Sequence, residues 1–380
     1  MTKLSLGSLR DKICDPEFAL ARITATYQPG GGPGSRVFPP TFPTSGSESP
    51  YLLEERTRGA ASRKAVVLDQ VPSQANRCDE ALKAAWQAGE IRMPMLRLTH
   101  DGAAKVVITG LDAPHRAFDA YWRDSLLDGE KFDKTPVGKA LQAASLEDAT
   151  ALLQYDPATL VYGGWNSHRK GRQAKFPRFY SSEIVGWDPV EGVRKAGRMD
   201  PNNLTGARSG DGDDWTYSPT AAKNTKAKLS EIGHGNIAPN PAHGGVTITE
   251  AMRFSTLSLT AVRRLRFGSL GADAQLAART LLVAFALLGD RLAFGGAGLW
   301  LRSGCDLVVK SESLEWIGRG GVVEPFSVSI GEARDLYGEA LEAAVAAGVQ
   351  LQLEPVELTP SKTLAAAIEF STTKAESTGE

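Results

Sequence analysis

Residues 19 to 27 read Ala-Leu-Ala-Arg-Ile-Thr-Ala-Thr-Tyr, with Ala21, Ile23, Ala25 and Tyr27 on one face and Arg22, Thr24 and Thr26 on the other. A period of two predicts a half-buried strand whose Arg22 emerges opposite the core. A second strand is expected at 64–68. Ser73 is then placed to cap a helix carrying Ala75, Cys78, Leu82 and Ala85 on one face, ended by Gly89. Lys105 to Thr109 predicts another strand. Asp112 and Pro114 open a helix expected to point Ala117, Phe118, Tyr121 and Trp122 inward until Gly129. Strand, helix, strand, helix implies an α/β or α+β chain.

Further on, Ser145 and Asp148 have capping-box spacing and predict a short helix, and 160–162 and 179–185 are expected strands around a basic loop. Residues 197–245 are rich in Gly, Asn, Asp and Pro, lack periodicity, and suggest an inserted loop or hairpin. Asp273 to Leu288 predicts the clearest helix, stopped by Gly289 and followed by a hairpin at 299–309. Ser329 and Glu332 cap a last long helix that ends at Gly348, 349–353 alternates as a strand, and 371–380 is expected to be a flexible tail. Between residues 28 and 50, 17 of 23 positions are Gly, Pro, Ser or Thr, too polar to pack alone, which predicts a long arm.

Composition changes this picture only through charge. The chain carries 43 Lys+Arg and 44 Asp+Glu, a net of −1 that suggests no polyanionic partner. From residue 311 onward, however, there are 12 acidic and 4 basic residues, leaving 39 basic and 32 acidic before it. An acidic C-terminal segment thus masks a basic body. The longest apolar run is far short of the roughly 20 residues that span a bilayer, and no secretory h-region is visible. A cytoplasmic protein is expected. Cys14, Cys78 and Cys305 lie far apart and predict reduced thiols rather than a disulfide or zinc framework.

Candidate chemistry is sparse. Gly295-Gly296-Ala297-Gly298 runs from helix into strand, opposite to a dinucleotide fingerprint, and reads as a tight turn. The five histidines show no ligand spacing, although His234 and His243 share a glycine-rich loop. No nucleophile motif or carboxylate pair marks an active site, so no cofactor, metal or catalytic residue is assigned. The basic segment His168-Arg169-Lys170-Gly-Arg172-Gln-Ala-Lys175-Phe-Pro-Arg178-Phe-Tyr180 holds five Lys/Arg in ten residues beside aromatics. Such interleaving neutralises phosphates and stacks on bases, or is simply a solvated basic loop. Arg22 adds a cation on an open sheet face. Ser73-Gln74-Ala75-Asn76-Arg77 sets donors and a cation at a helix N-terminus, where an anion is favoured. Arg116 and Arg123 share a face of the expected 112–129 helix, and Asp119 to Arg123 has i,i+4 ion-pair spacing.

Several of these segments together resemble a known family. Ala21-Arg22-Ile23 through Tyr27-Gln28-Pro29, Val37-Phe38-Pro39-Pro40-Thr41, Leu68-Asp69 with Ser73-Gln74-Ala75-Asn76-Arg77, and His115-Arg116-x-Phe118-Asp119 are similar to the type I-G (formerly I-U) CRISPR RAMP protein that forms the backbone of Cascade. Further likeness runs through Trp165-Asn-Ser-His168-Arg169, Tyr180-Ser181-Ser182-Glu183-Ile184, Ser230-Glu-Ile-Gly233-His234-Gly235-Asn236, Ser258-Leu-x-x-Val262-Arg263-Arg264-Leu265 and Leu301-Arg302-Ser-Gly-Cys305-Asp306-Leu307. It covers about residues 15–310.

The resemblance implies an α+β fold, a modified RRM or ferredoxin-like RAMP palm over 1–310. Its insertions would be an arm at 28–50 and a candidate thumb at 197–245, with an acidic helix-strand extension at 311–370 of the same body. It implies a subunit that does not cut, binds crRNA, polymerises along it in several copies as a helical backbone, and displays the guide for pairing with target DNA. The other partners implied are the fused handle-binding and repeat-processing subunit, the large subunit and the recruited helicase-nuclease, with no membrane. RNA contacts are expected at Arg22, Ser73, Gln74, Asn76, Arg77, Arg116, Arg169 and Arg178, and on the family motifs at His115, His168, His234, Asn236, Arg263 and Arg264. The alternative is a metal-independent RAMP endoribonuclease processing repeat RNA with His168 or His234 as base. A generic single-strand-binding module is the third reading.

Overall fold

A computed structural model describes residues 2–44, 48–103, 105–166, 174–209, 215–219 and 228–378. Its centre is built from β1 (Phe18–Pro29), α1 (Val71–Gln87), β2 (Tyr180–Trp187), β3 (Ala251–Ser258), α2 (Ala272–Phe294) and β4 (Cys305–Gly318). In space the strands lie β4-β1-β3-β2, and each neighbouring pair is antiparallel. This βαββαβ order is the ferredoxin-like, RRM-like arrangement. The expected α+β class is what the chain adopts. Strands Ala61–Asp69 and Leu53–Arg58 extend the sheet beyond β2, and Val323–Ser327 and Thr2–Lys3 extend it beyond β4.

The alternation in β1 sorts as expected: Ala21, Ile23, Ala25 and Tyr27 are buried and Arg22 is exposed. Both helices cover the buried face. On the other face Arg22 stands opposite Thr256 of β3 and Glu315 of β4, whose carboxylate it pairs with at 2.7 Å. α2 continues through Gly289 to Phe294 rather than stopping at the glycine, with residues 280–291 all buried. Gly289 is there because a Cβ would stand 2.2 Å from the Tyr162 hydroxyl. One side of α2 faces the sheet and another faces the helix Ile330–Ala346, where Phe285 and Tyr337 rings lie 5.8 Å apart, so α2 is apolar all round from Leu281 to Leu288.

The acidic segment after 310 is woven into this body. The capping box at Ser329 and Glu332 forms as expected, and the helix it opens buries Ala333, Leu336, Tyr337, Ala340 and Ala344. The strand that follows is Val356–Pro360, not 349–353. It lies between Leu96–Asp101 and Ser125–Leu127 in a second, five-stranded sheet. A helix, Lys362–Thr378, occupies most of the region where composition predicts a flexible tail.

Other expectations shift for local reasons. α1 starts at Val71 with Gln70 at its cap; Ser73, one turn inside, donates instead to Asp69 at 2.7 Å. The helix expected over 112–129 breaks at Asp119, which caps the short helix Ala120–Arg123, and strand Ser125–Leu127 follows. Arg123 pairs with Asp124, not Asp119. Ser145 accepts from the Asp148 amide but no helix begins there; the next one is Thr150–Tyr155. Residues 160–162 belong to the helix Pro157–Tyr162, whose six residues are all buried and so show no period. The 197–245 insertion is the distal part of a hairpin, Val190–Arg198 against Ile237–Thr247, joining β2 to β3. From the arm, Arg36–Val37 pairs with that hairpin and Phe38 packs against Gly304. Among the described residues no helix is long and apolar enough to cross a membrane, and the three cysteines are free.

Inside the helix-covered face runs a buried polar chain. Arg253 of β3, fully buried, donates to Asp290 of α2 at 2.6 Å and to Ser255 at 2.7 Å. Arg291 also bonds Asp290 and reaches Glu312 of β4 at 2.7 Å, and Tyr180 of β2 donates to Asp290 at 2.6 Å. Burial by itself would raise the Asp290 carboxyl, but Arg253 and Arg291 outweigh it and hold it well below the usual range. Removing one partner would strand buried charge, so Arg253→Ala is expected to cost about 3–5 kcal/mol in urea unfolding. An unchanged midpoint would contradict this account.

Asp156 offers a pH test of the same packing. Its side chain accepts from the Thr159 amide at 3.1 Å to cap Pro157–Tyr162, while Oδ2 has no partner. Burial pushes this carboxyl up to about 7, against the Thr159 hydrogen bond and the Arg116 charge. A carboxyl raised in the folded state stabilises fully below its unfolded pKa, and that contribution is lost as pH rises through about 7. Asp156→Asn keeps the acceptor without the charge. It is expected to melt about 2–4 °C above wild type near pH 8, with the gap closing near pH 5; a constant gap would assign the effect elsewhere.

Candidate nucleic-acid interface

The N-terminal half of α1 forms one wall of a cleft of about 610 Å³. Pro72, Ala75 and Asn76 come from α1, His115 and Arg116 from the turn before Asp119, Tyr162 to Trp165 from the end of a buried helix, and Lys175 to Arg178 from the strand that leads to β2. Family-like motifs far apart in sequence meet here. No acidic residue is among the described residues that line it.

Two glycines make the geometry possible. Gly163 ends the helix with φ +91°, and a Cβ there would stand 3.2 Å from the Phe176 carbonyl oxygen. At Gly164 a Cβ would come within 2.7 Å of Thr159 Cγ2. The chain can therefore turn from helix into the small hairpin Gly164–Asn166 against Ala174–Phe176. Phe118 stacks on Phe176 at 5.8 Å behind the hairpin, while Trp165 faces outward, 46% exposed, with the Lys175 ammonium 4.7 Å from its ring centroid. An exposed indole beside a cation can take both the flat face of a base and a phosphate charge.

Arg116 forms the floor. It sits at φ +47°, a left-handed conformation, and is 8% exposed. Its guanidinium donates to Asp79 of α1 at 2.6 Å and to the Gly163 carbonyl at 3.1 Å, and lies 5.3 Å from the Tyr162 ring. Nε of Arg116 and Oδ1 of Asp79 have no partner. Burial, partly offset by Arg116, pushes the Asp79 carboxyl up to about 6. Arg178 stands above with no carboxylate partner among the described residues. Burial first, and Arg116 second, lower its affinity for its proton.

The remaining expected contacts have other surroundings. Gln74 and Ser73 donate to Asp69, and Arg77 bonds Asp69 at 2.7 Å and the Leu301 carbonyl at 2.9 Å. Four carbonyls, of Lys12, Ile13, Asp15 and Phe18, engage Arg263, which satisfies the C-terminal end of the helix Leu6–Cys14. Arg264 is exposed. Asn236 accepts from the Asp200 amide at 2.7 Å, and the Gly235 amide donates to Asp200 at 2.7 Å, so Gly-His-Gly-Asn closes a turn in the long hairpin; His234 lies 5.7 Å from the Trp215 ring. His168 and Arg169 lie outside the described residues, as does most of the basic segment's start. Asn76, His115, Arg116 and Arg178 are the expected residues that the cleft unites. The sequence names Trp165 only as the start of a family-like motif just before the basic run, not as a contact, and gives no signal for Asp79.

A neighbouring cleft of about 570 Å³ on the other side of Phe118 carries Asp119 and Asp133 as well as Arg123 and Lys139, and so lacks a charge bias. All the residues of the basic cleft fall within 21–190. That same stretch matches the family described as CRISPR-associated protein GSU0053. No curated protein matches the chain. Over the segments that build most of β1, α1, the cleft and β2, the chain is similar to that family.

Proposed function

We propose that this chain is a non-catalytic, crRNA-binding backbone subunit of a type I-G Cascade, working in the cytoplasm. Several copies would polymerise along the guide and present it to a target DNA strand, in company with the handle-binding, large and helicase-nuclease components. The observation that carries the reading is the convergence of Asn76, His115, Arg116, Trp165, Lys175 and Arg178 in a cleft with no carboxylate among the described residues that line it, within the family-like stretch. Positive charge and an exposed aromatic in one groove are what a single strand needs, because phosphates and base faces recur at every nucleotide. The segment 167–173, Ser-His-Arg-Lys-Gly-Arg-Gln, adds three cations and no acid to the chain between Trp165 and Lys175. A hairpin between β2 and β3, the candidate thumb, supports self-assembly by giving the sheet a long projecting connection. For the endoribonuclease alternative, His234 packs on Trp215 and does not line the cleft.

Co-expression with a CRISPR array is expected to yield RNA-loaded oligomers, and expression without it smaller species. Trp165→Ala should weaken single-strand binding by about 1–3 kcal/mol, as for loss of one stacked base. With Arg178→Ala the loss should be even across sequences, and the salt slope shallower by about one contact. Fluorescence anisotropy with labelled RNA at several salt concentrations measures both. A nucleic-acid-free monomer under both expression conditions, or site-specific cleavage of labelled repeat RNA, would sink the proposal.

A further inference from the structure

Beneath the cleft lies an ion pair that is incomplete on both sides. Arg116 is more than nine-tenths buried, lines the cleft, and keeps an Nε without a partner; Asp79 uses one carboxylate oxygen on Arg116 and leaves the other bare. A guanidinium presents five N–H donors in a fixed fork, which suits a phosphate as well as a carboxylate. α1 adds its N-terminus at the same wall: Gln70 makes no side-chain cap, Pro72 occupies the first turn, and Asn76 lines the cleft one turn on.

Resting on the reading of the cleft as an RNA groove, we infer that its floor is a phosphodiester subsite centred on Arg116, with Asp79 as a displaceable counter-charge that takes up a proton when the phosphate binds. The two anions compete for one cation. When a phosphate takes part of the Arg116 fork, the charged form of Asp79 loses the one cationic hydrogen-bond partner it has among the described residues, in a buried setting, and the neutral acid is favoured.

The surroundings reinforce this. Cys78 and Glu80 flank Asp79 on α1, Asp112 approaches from the loop while held by Lys83, and Tyr162 and Asp156 approach from the helix Pro157–Tyr162 and its cap. None of these supplies a second cation to Asp79. Its carboxyl already titrates at about 6, so it is mostly charged near pH 7.5 and near half-protonated a unit and a half lower. Since binding raises proton affinity, linkage requires affinity for RNA to increase as pH falls.

The test uses the full chain and labelled oligouridine, whose phosphodiesters and bases do not titrate between about pH 5.5 and about pH 8. Anisotropy at constant ionic strength is run for wild type, for His115→Gln/His168→Gln and for Asp79→Asn, with circular-dichroism melts at each pH. Wild type is expected to tighten by about tenfold over that range, a one-unit shift of one bound proton. The double histidine variant should keep most of that slope and still take up protons in calorimetry across buffers of different ionisation enthalpy. For Asp79→Asn, affinity near pH 8 should match wild type near pH 5.5, with a shallow profile. Calorimetry on the histidine variant decides the matter if Asp79→Asn folds poorly. RNA binding with a flat profile, or proton uptake abolished by the histidine changes, overturns this inference alone. Failure to bind RNA at any pH overturns the reading of the cleft as well.

Discussion

Most of the architecture depends on how four charged side chains share the space between sheet and helices. Arg253 projects from β3, Asp290 and Arg291 from α2, and Glu312 from β4, and the hydrogen bonds among them fix the rotation of α2 over the sheet. The chain of contacts goes further. Ser255 donates to Ser182 at 2.8 Å, Ser182 donates to Gln74 at 2.8 Å, and Gln74 donates to Asp69, where Ser73 and Arg77 also converge. One polar seam thus ties β4, β3, β2, both helices and the strand Ala61–Asp69. Apolar packing alone would hold α2 in many rotations of similar energy; a seam of directional bonds in a low-dielectric interior selects one.

This seam also explains the form of the functional surface. Because Gln74 and Arg77 point into it, the opposite side of the first turns of α1, with Pro72 and Asn76, is left to face the cleft. Asp79, one turn later, takes Arg116 out of an otherwise repulsive cluster of cations and fixes it in a left-handed turn. Charge is therefore divided by depth. Arginines bonded to carboxylates and carbonyls hold the body together, whereas Lys175 and Arg178 stand at the rim free of carboxylates among the described residues. The acidic C-terminal helix Ile330–Ala346 turns its small and aromatic residues inward against α2, so its carboxylates add charge at the surface and none in the core.

What the sequence determined by itself was local and periodic. Alternation at 19–27 specified β1 and its buried face, Ser329 with Glu332 specified a helix start, and the apolar run after Asp273 specified α2, because each rests on side chains a few positions apart. Composition also marked the arm and the basic segment. It did not tell a helix from a strand at 157–162, where every residue is buried, nor reveal that Gly289 lies inside a helix, since that glycine answers to Tyr162, 127 positions away. Among arginines the sequence could name candidates but not sort them: Arg263 clamps four carbonyls, Arg77 serves Asp69, and Arg178 is open, because pairing is decided by neighbours from distant strands. The cleft itself belongs to the tertiary structure, for it exists only where α1, the turn at Arg116 and the strand before β2 approach one another, and no local pattern records that distance.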